Sequence, residues 1–312
     1  MQEFYSNGKL LLSGEYVVLD GAKSLALPTV FGQHMGVQKI ASREIHWKSI
    51  DNQGNVWFTG IAVIPNGEGS FDFNSSSDPE TAALLGKLLT ETRKLNSSVF
   101  DDTSGFEIAT RLNFPRDWGL GSSSTLINNI AQWTKVDAYA LLWNAFKGSG
   151  YDIACAQHST PISYELIQQQ PKIAPVAFNP SFTTSLFFVY RNKKQNSRDG
   201  ITRYQAQNFN LATALKTISS LTDSLIAATD LDQFEKLLIA HENCISSIIG
   251  LPPVKQALFP DYPRALKSLG AWGGDFILAV GGKAEKAYFE TKGYSTIISY
   301  EDMILATSSP QK

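Results

Sequence analysis

A glycine turn joined to a serine-rich helix start is the feature of this chain best suited to chemistry. Residues 115–125 have the sequence Pro-Arg-Asp-Trp-Gly-Leu-Gly-Ser-Ser-Ser-Thr. Glycine lets a backbone approach an anion closely, and the first turn of a helix presents unpaired N–H groups with a partial positive charge. Apolar residues recur after Thr125 with the spacing of one buried helix face, so the serines fall where a helix begins. The segment predicts a phosphate-binding turn, and an ordinary capped helix after a tight turn is the alternative.

Two further segments supply groups that phosphoryl transfer needs. Lys9 lies in the largely apolar residues 8–21, where a cation can neutralise phosphate charge or hold a nucleophile ready. Asp152 follows Gly-Ser-Gly-Tyr at residues 148–151, and a carboxylate set among glycines can take a proton from an attacking hydroxyl. Each residue has a structural alternative, because Lys9 could be an exposed strand-edge lysine and Asp152 could cap a helix.

In chain order, Lys9, the glycine-serine turn and Asp152 resemble the signatures of the GHMP kinases, which include galactokinase, homoserine kinase, mevalonate kinase and phosphomevalonate kinase. Residues 269–280, Leu-Gly-Ala-Trp-Gly-Gly-Asp-Phe-Ile-Leu-Ala-Val, resemble the third, carboxy-terminal glycine motif of that family. The resemblance covers essentially the whole chain. The run around Asp152 and the Gly-Gly-Asp of the third motif look most like the mevalonate and phosphomevalonate kinase branch. Residues 5–16 do not resemble the sugar-recognition signature of galactokinases.

The resemblance implies a role for each candidate residue. Asp152 would be the catalytic carboxylate that orients or deprotonates the acceptor hydroxyl, and Lys9 would be catalytic by steadying its negative charge. The ATP phosphates would be bound by Gly119, Leu120, Gly121, Ser122, Ser123 and Ser124, with Ser123 contacting Mg²⁺. The acceptor site would include Glu15, Gly150, Tyr151, Gly273, Gly274 and Asp275. Within that set, Glu15 would buttress the active-site strand rather than carry out chemistry.

The chain departs from the family pattern at two positions. Relatives often carry a glutamate before the catalytic aspartate as a second metal contact, but Asp137 is the only acidic residue between Ser124 and Asp152. Either Asp137 substitutes, or Mg²⁺ is held mainly by nucleotide, serine, water and Asp152. Trp272 stands where a smaller residue is usual, and it would pack over the acceptor or wedge the domains together. His158, one to two helical turns beyond Asp152, would line the acceptor pocket.

Composition excludes several classes of protein. A chain of 312 residues with 43% hydrophobic and 18% charged residues is typical of a globular enzyme with one large or two medium domains. A formal net charge of -2 and scattered basic residues do not favour nucleic-acid binding. The polar stretch around Lys193 and Lys194 is interpreted as a solvated loop, and the two cysteines as reduced and buried. With no signal peptide and no bilayer-spanning run, we expect a cytoplasmic protein, and a homodimer is compatible with the sequence.

Periodicity predicts an α+β protein. Strands are expected at residues 4–19, 34–40, 44–49, 56–64, 106–112, 186–190, 276–280 and 295–299. Helices are expected at residues 78–95 (with Leu84, Leu85, Leu88 and Leu89 inward), 123–134, 137–146, 211–229, 231–249, 254–269 and 284–291. The proline-bearing residues 168–180 indicate a passage between two domains, which we place at residues 1–172 and 173–312. The family resemblance implies a ribosomal-protein-S5-like first domain, a ferredoxin-like second domain and an active site in the cleft between them.

These observations predict an ATP- and Mg²⁺-dependent small-molecule kinase that acts on mevalonate or 5-phosphomevalonate, in isoprenoid precursor synthesis. A related diphosphomevalonate decarboxylase and a homoserine or sugar kinase are the enzymatic alternatives. A nucleotide-binding regulatory protein without turnover is the alternative of another class. The missing glutamate favours that last alternative, whereas the presence of both Lys9 and Asp152 argues against it.

Overall fold

The computed structural model describes residues 1–67, 69–194, 197–272 and 274–305. The strands in these ranges are β1 (Gln2–Ser13), β2 (Ser24–Ile40), β3 (Glu44–Ile50), β4 (Val56–Val63), β5 (Phe73–Ser76), β6 (Gly105–Leu112), β7 (Ile162–Ile167), β8 (Gln170–Pro175), β9 (Leu186–Tyr190), β10 (Leu266–Ser268), β11 (Phe276–Val280) and β12 (Ile297–Ser299). The helices are α1 (Pro79–Leu95), α2 (Ser122–Thr134), α3 (Ala138–Ala145), α4 (Tyr151–Gln157), α5 (Ser197–Gln205), α6 (Leu211–Ala227), α7 (Leu231–Ile249), α8 (Val254–Leu258), α9 (Lys283–Thr291) and α10 (Tyr300–Met303). Short 3₁₀ helices lie at Val17–Asp20, Ser97–Phe100 and Thr183–Ser185.

The chain divides into two compact units, and neither is a continuous stretch. The first unit comprises residues 1–8, 31–116 and 121–157. The second comprises residues 9–30, 117–120 and 158–312. Segments that are distant in sequence are therefore grouped within one unit. A functional division between residues 172 and 173 stays a prediction.

The first unit is built on a mixed sheet with the strand order β5-β4-β3-β6-β2. The pairing of β3 with β6 is parallel and the other pairings in this order are antiparallel. Along β6, buried Phe106 and Ile108 alternate with exposed Glu107 and Ala109, because successive side chains of a strand point to opposite faces. The buried residues of the strands form one core with apolar residues of α1, α2 and α3.

Helix α1 follows from its local sequence signals. The carboxylate of Asp78 accepts a hydrogen bond from the Thr81 N–H at 3.0 Å, and Pro79 occupies the first helical position. Leu85 and its neighbours one turn on are buried as predicted, but Leu84 is 38% exposed. The inward orientation predicted for Leu84 was wrong, because one residue rotates a helical side chain by about 100° away from the buried stripe.

The second unit contains a four-stranded antiparallel sheet with the order β10-β11-β9-β12. In chain order, β9, the helices α5 to α8, β10, β11, α9 and β12 follow one another, which is the β-α-β-β-α-β sequence of a ferredoxin-like fold. Helices α6 and α7 begin where predicted, capped by the side chains of Asn210 and Asp230. The unit also contains the first half of β2, which pairs with β7.

Two predictions for the second unit were wrong. Residues 254–269 form the short helix α8 and the strand β10 instead of one helix, because Pro260 and Pro263 lack the N–H that a helix interior needs. The predicted interdomain passage at residues 168–180 contains β8, which forms a hairpin with β7. The loop predicted around Lys193 and Lys194 is confirmed, because both residues are exposed and lie outside helices and strands, and α5 begins at Ser197.

Both cysteines are free, with Cys155 buried and Cys244 half-buried. The reduced state is as expected, and burial is complete only for Cys155. Across residues 1–67, 69–194, 197–272 and 274–305, no helix has the length and apolar character that crossing a bilayer would require.

Candidate active site

The glycine turn adopts the backbone conformation that its sequence predicts. Gly119 and Gly121 have φ values of +67° and +89°, in the left-handed region that glycine tolerates best. Helix α2 begins directly after the turn, and its N-cap residue Gly121 has no side chain that could bond the first-turn N–H groups. The turn and the uncapped helix start therefore present backbone donors, as a phosphate-binding turn requires.

The three serines of α2 differ in exposure. The Ser124 hydroxyl is buried and donates to the carbonyl oxygen of Gly121 at 2.9 Å. Ser122 is half-buried, and Ser123 is exposed. The exposed hydroxyl of Ser123 is compatible with the predicted metal contact, which stays a prediction.

The second unit brings three of the motifs together. The Lys9 N–H donates to the Leu120 carbonyl oxygen at 3.0 Å, so the strand that carries Lys9 adjoins the glycine turn. A Cβ added to Gly119 would lie 2.3 Å from Oδ2 of Asp275, so the third motif lies against the same turn. Asp275 itself is held by its N–H, which donates to the Lys193 carbonyl oxygen at 2.7 Å. Segments that the sequence singled out separately are thus neighbours in space.

Asp152 is the second residue of α4, and its side chain is half-buried. Because the helix begins at Tyr151, Asp152 lies inside the first turn instead of at the N-cap, which removes the structural alternative of a capping aspartate. Gly150, Tyr151 and Asp152 belong to the first unit, and Lys9 belongs to the second. That Lys9 and Asp152 meet stays a prediction.

The third motif contributes a cavity wall. Trp272 is 4% exposed, although its φ of +34° is unusual for a residue with a side chain. Its indole packs in an apolar cluster with Tyr16 and Tyr204. A cavity of about 530 Å³ lies within the second unit. Its walls include Tyr16, Lys193, Arg203, Leu251 and Trp272. Gly274 is buried, while Gly273 lies outside the described residues.

Glu15 has no exposed surface and lies in a cluster of buried polar groups. The Lys267 ammonium donates to Oε1 of Glu15, and Lys267 is also fully buried. Burial raises the pKa of Glu15 to about 7, an effect that the nearby Lys267 ammonium opposes. Substrate contact by Glu15 stays a prediction, and burial is what a buttressing residue would show.

Sequence reasoning missed three members of this cluster, namely Lys267, His241 and Glu242. Lys267 and Glu15 are 252 positions apart, and no local pattern marks either as the partner of the other. His241 is completely buried, and its Nε2 accepts a hydrogen bond from the Gly14 N–H at 2.9 Å. His158 is half-buried, and its predicted place in the acceptor pocket stays a prediction.

Ser123 is the residue of the predicted phosphate-binding turn that could contact a magnesium ion. In the part of the chain that the structure describes, no group of three or more His, Cys, Asp or Glu side chains could hold a metal. Asp137 caps α3 by accepting a hydrogen bond from the Ala140 N–H at 2.7 Å, so its carboxylate is already engaged. Mg²⁺ retains several waters and commonly takes one or two protein groups plus substrate phosphates. An exposed hydroxyl at Ser123 beside a phosphate-binding turn fits that chemistry.

Comparison with known proteins identifies the fold. No protein-family model matches the chain, and no curated protein sequence matches it significantly. Mevalonate kinase of Methanococcus jannaschii is 13% identical, with 98% of each chain covered and a TM-score of 0.70. Streptococcus pneumoniae phosphomevalonate kinase in complex with phosphomevalonate and AMPPNP is 14% identical, covering 96% of this chain and 100% of that chain, with a TM-score of 0.69. Lactococcus lactis galactokinase complexed with galactose is 14% identical, covering 99% of this chain and 95% of that chain, with a TM-score of 0.65. The predicted resemblance is confirmed at the level of the fold: this chain has the two-domain α+β architecture of the GHMP kinases.

Proposed function

We propose that this protein is an ATP-dependent kinase that transfers the γ-phosphoryl group to mevalonate or 5-phosphomevalonate, in isoprenoid precursor synthesis. The observation that carries the proposal is the glycine turn, which adjoins the Lys9 strand through Leu120 and lies against Asp275 through Gly119. A turn of this kind at a helix start binds phosphate groups through backbone N–H donors. The choice of acceptor rests on the run around Asp152 and on the third motif, which resemble the mevalonate and phosphomevalonate kinase branch, and kinases of both kinds share this fold.

The nucleotide would be bound by the start of α2. Backbone N–H groups of residues 121–124 would hold the ATP phosphates, because the N-cap glycine leaves them without a side-chain partner. The exposed hydroxyl of Ser123 would contact Mg²⁺, which neutralises phosphate charge when it is bound. A cytoplasmic location, as the sequence predicts, is part of the proposal.

The acceptor would be activated by Asp152. If mevalonate is the acceptor, its hydroxyl must lose a proton, and the Asp152 carboxylate would accept that proton. If 5-phosphomevalonate is the acceptor, the attacking phosphate oxygen is already anionic, and Asp152 would serve to orient it. Lys9 would stabilise the negative charge of the nucleophile in either case.

A sugar acceptor is the second candidate. It is favoured by the match to galactokinase and by the match to a D-glycero-D-manno-heptose 1-phosphate kinase from Bacteriodes thetaiotaomicron, which is 14% identical with a TM-score of 0.63. A matching fold supports several acceptors equally, because function resides in the site and not in the fold.

An acceptor screen tests the proposal. Purified protein with ATP and Mg²⁺ is supplied with mevalonate, 5-phosphomevalonate, homoserine, galactose or a heptose phosphate, and ADP release is followed. We expect turnover with mevalonate or 5-phosphomevalonate and a phosphorylated product by mass spectrometry. Adding diphosphomevalonate separates the decarboxylase, which would release carbon dioxide. ATP binding without turnover on any acceptor would indicate a regulatory protein and contradict the proposal.

A further inference from the structure

Three fully buried side chains of the second unit meet beside the strand that carries Lys9. Glu15 follows β1, Lys267 lies in β10 and His241 lies in α7, and each is 0% exposed. The Lys267 ammonium donates to Oε1 of Glu15 and, at 2.8 Å, to the carbonyl oxygen of Ser268. A buried ion pair is weak evidence for stability, because apolar groups of similar volume often stabilise a fold as well. The pair of Glu15 and Lys267 therefore needs an explanation other than stability, such as the positioning of the residues next to it.

His241 fixes the backbone next to Glu15. Its Nε2 accepts the Gly14 N–H at 2.9 Å, so this nitrogen carries no proton and the ring is neutral. Burial and the Lys267 ammonium both hold the pKa of His241 well below its ordinary value of 6.5, in agreement with a neutral ring. The hydrogen bond ties the turn at Gly14 to α7.

The tethered turn has a strained conformation at the residue after Glu15. Tyr16 has a φ of +62°, which costs free energy for a residue with a Cβ and persists only where surrounding contacts impose it. The Tyr16 ring stacks on Tyr204 with centroids 5.8 Å apart and forms part of the wall of the 530 Å³ cavity. The contacts of Glu15 and Gly14 therefore lie one and two residues before a residue of the cavity wall.

Strand β10 is itself anchored, so Lys267 is a fixed point. The Glu242 carboxylate accepts hydrogen bonds from the Ser268 N–H at 3.0 Å and the Ser268 hydroxyl at 2.8 Å. These bonds hold the residue after Lys267 against α7, the helix that also carries His241. An ammonium on a rigid base can therefore hold Glu15 in one position.

We propose that Lys267 is a positioning residue: its ammonium holds Glu15 and, together with the His241 contact to Gly14, sets Tyr16 in the wall of the 530 Å³ cavity, which we assign to the acceptor. Glu15 then acts through Tyr16 and not by touching the substrate. The assignment of this cavity rests on the proposed function, in which the protein is a kinase with a small-molecule acceptor.

A matched set of variants separates positioning from stability. Lys267→Met removes the ammonium, and the double variant Glu15→Leu/Lys267→Met replaces the ion pair with apolar groups that are expected to fold well. Glu15→Gln keeps an oxygen that can accept from Lys267. Arg264→Met is the control, because Arg264 pairs with Glu235 of α7, and no hydrogen bond or ion pair found among the described residues joins Arg264 to the Gly14 turn.

Two measurements read out the result. Hydrogen exchange of a peptide spanning residues 14–18 needs no substrate, and we expect faster exchange in Lys267→Met and in the double variant. In steady-state kinetics, we expect the KM for the acceptor to rise about tenfold in both variants and the KM for ATP to change less than about twofold. The reason is that a displaced Tyr16 in the cavity wall affects only the ligand that it contacts. Glu15→Gln should resemble wild type in both measurements. Arg264→Met should leave both unchanged even where it lowers Tm.

The outcomes are distinguishable. Wild-type exchange at residues 14–18 in the double variant would overturn the positioning role, as would kinetics in which Lys267→Met and Arg264→Met lose activity in the same way. If Lys267→Met does not fold, hydrogen exchange and kinetics of the double variant test the positioning role. Faster exchange in a protein that phosphorylates no acceptor would uphold the positioning of Tyr16 and contradict the proposed function alone.

Discussion

Gly119 lies so close to the Asp275 carboxylate that a Cβ at residue 119 would sit 2.3 Å from Oδ2 and 2.4 Å from Cγ. This contact joins the glycine turn to the third motif within the second unit. Non-bonded heavy atoms separate by about 3.5 to 4.0 Å at their optimum, so a side chain at residue 119 would require the Asp275 side chain to move. The backbone of Asp275 is held on both sides, by its own N–H and by the N–H of Arg191, which donates to its carbonyl oxygen at 2.8 Å.

Gly119→Ala should impair activity more than stability. The added methyl must displace Asp275, and the φ of +67° adds a backbone cost of roughly 1–3 kcal/mol. Gly293→Ala is the matched control, because Gly293 has a φ of +86° and no described atom lies within 4 Å of an added Cβ. We expect comparable losses of Tm, with kcat/KM reduced about a hundredfold only in Gly119→Ala. Equal activity of the two variants would show that the contact does not matter.

Asp152→Asn should lower kcat by about two to four orders of magnitude, the range of lost general-base catalysis, while ATP binding survives. Asp137→Asn is the control, because asparagine caps a helix as well as aspartate does, so stability and kcat should stay near wild type. Calorimetric titration with ATP and steady-state kinetics check both variants. Near-normal turnover of Asp152→Asn would refute its assignment as the base. A loss of Mg²⁺ response in Asp137→Asn would revive Asp137 as a metal contact.

Much of the fold could be predicted because its signals are local. Asp78 and Pro79 mark the start of α1, and Asp137 marks the start of α3, because a cap bonds N–H groups only a few residues away. The β7–β8 hairpin was missed for an equally local reason. Its turn residues Gln168 and Gln169 have φ values of +49° and +61°, the conformation usually taken by Asn-Gly. Glutamine carries no such signal, so the prolines nearby suggested a linker.

The candidate site could be predicted only in part. The glycine turn could be predicted because glycines before a helix start allow a close backbone approach to an anion, and Lys9 and Asp152 favoured that interpretation over an ordinary capped helix. The pairing of Glu15 with Lys267 and the hydrogen bond of His241 to Gly14 depend on which segments the tertiary fold brings together. Burial of these charges is invisible in sequence, since charged residues are almost never fully buried unless paired.

Glu15→Gln should gain stability relative to wild type as pH rises. Burial raises the pKa of Glu15 from 4.5 to about 7, so between these values the folded protein holds a proton that the unfolded chain has lost. A raised pKa contributes stability at low pH that is lost as pH rises through the folded value, and glutamine does not titrate. The difference in unfolding free energy between the two proteins should change by about 3 kcal/mol, at 1.36 kcal/mol per pKa unit.

Other titrating groups face Glu15, so the test is a difference between two proteins. Burial lowers the pKa of His241 and raises that of Glu242, and the charge of the Lys267 ammonium, which pairs with Glu15, lowers both. These neighbours are present in wild type and in Glu15→Gln alike, and most of their effect cancels. Urea unfolding at pH 4.5, 6 and 8 provides the measurement. A constant difference across this range would mean that Glu15 keeps an ordinary pKa in the folded protein.

Trp272→Phe should widen the range of acceptors. Trp272 is buried in the cavity wall, so a smaller ring leaves more room for a ligand. Trp133→Phe is the control, because Trp133 is buried against Phe100 and Phe106 in the first unit and its loss should affect Tm alone. The measurement is kcat/KM for 5-phosphomevalonate divided by kcat/KM for mevalonate. We expect Trp272→Phe to shift that ratio about tenfold or more toward the larger acceptor, since small differences in pocket shape discriminate by about 10- to 200-fold. If both variants leave the ratio at its wild-type value, Trp272 is a packing residue and the selection of the acceptor lies elsewhere in the cavity.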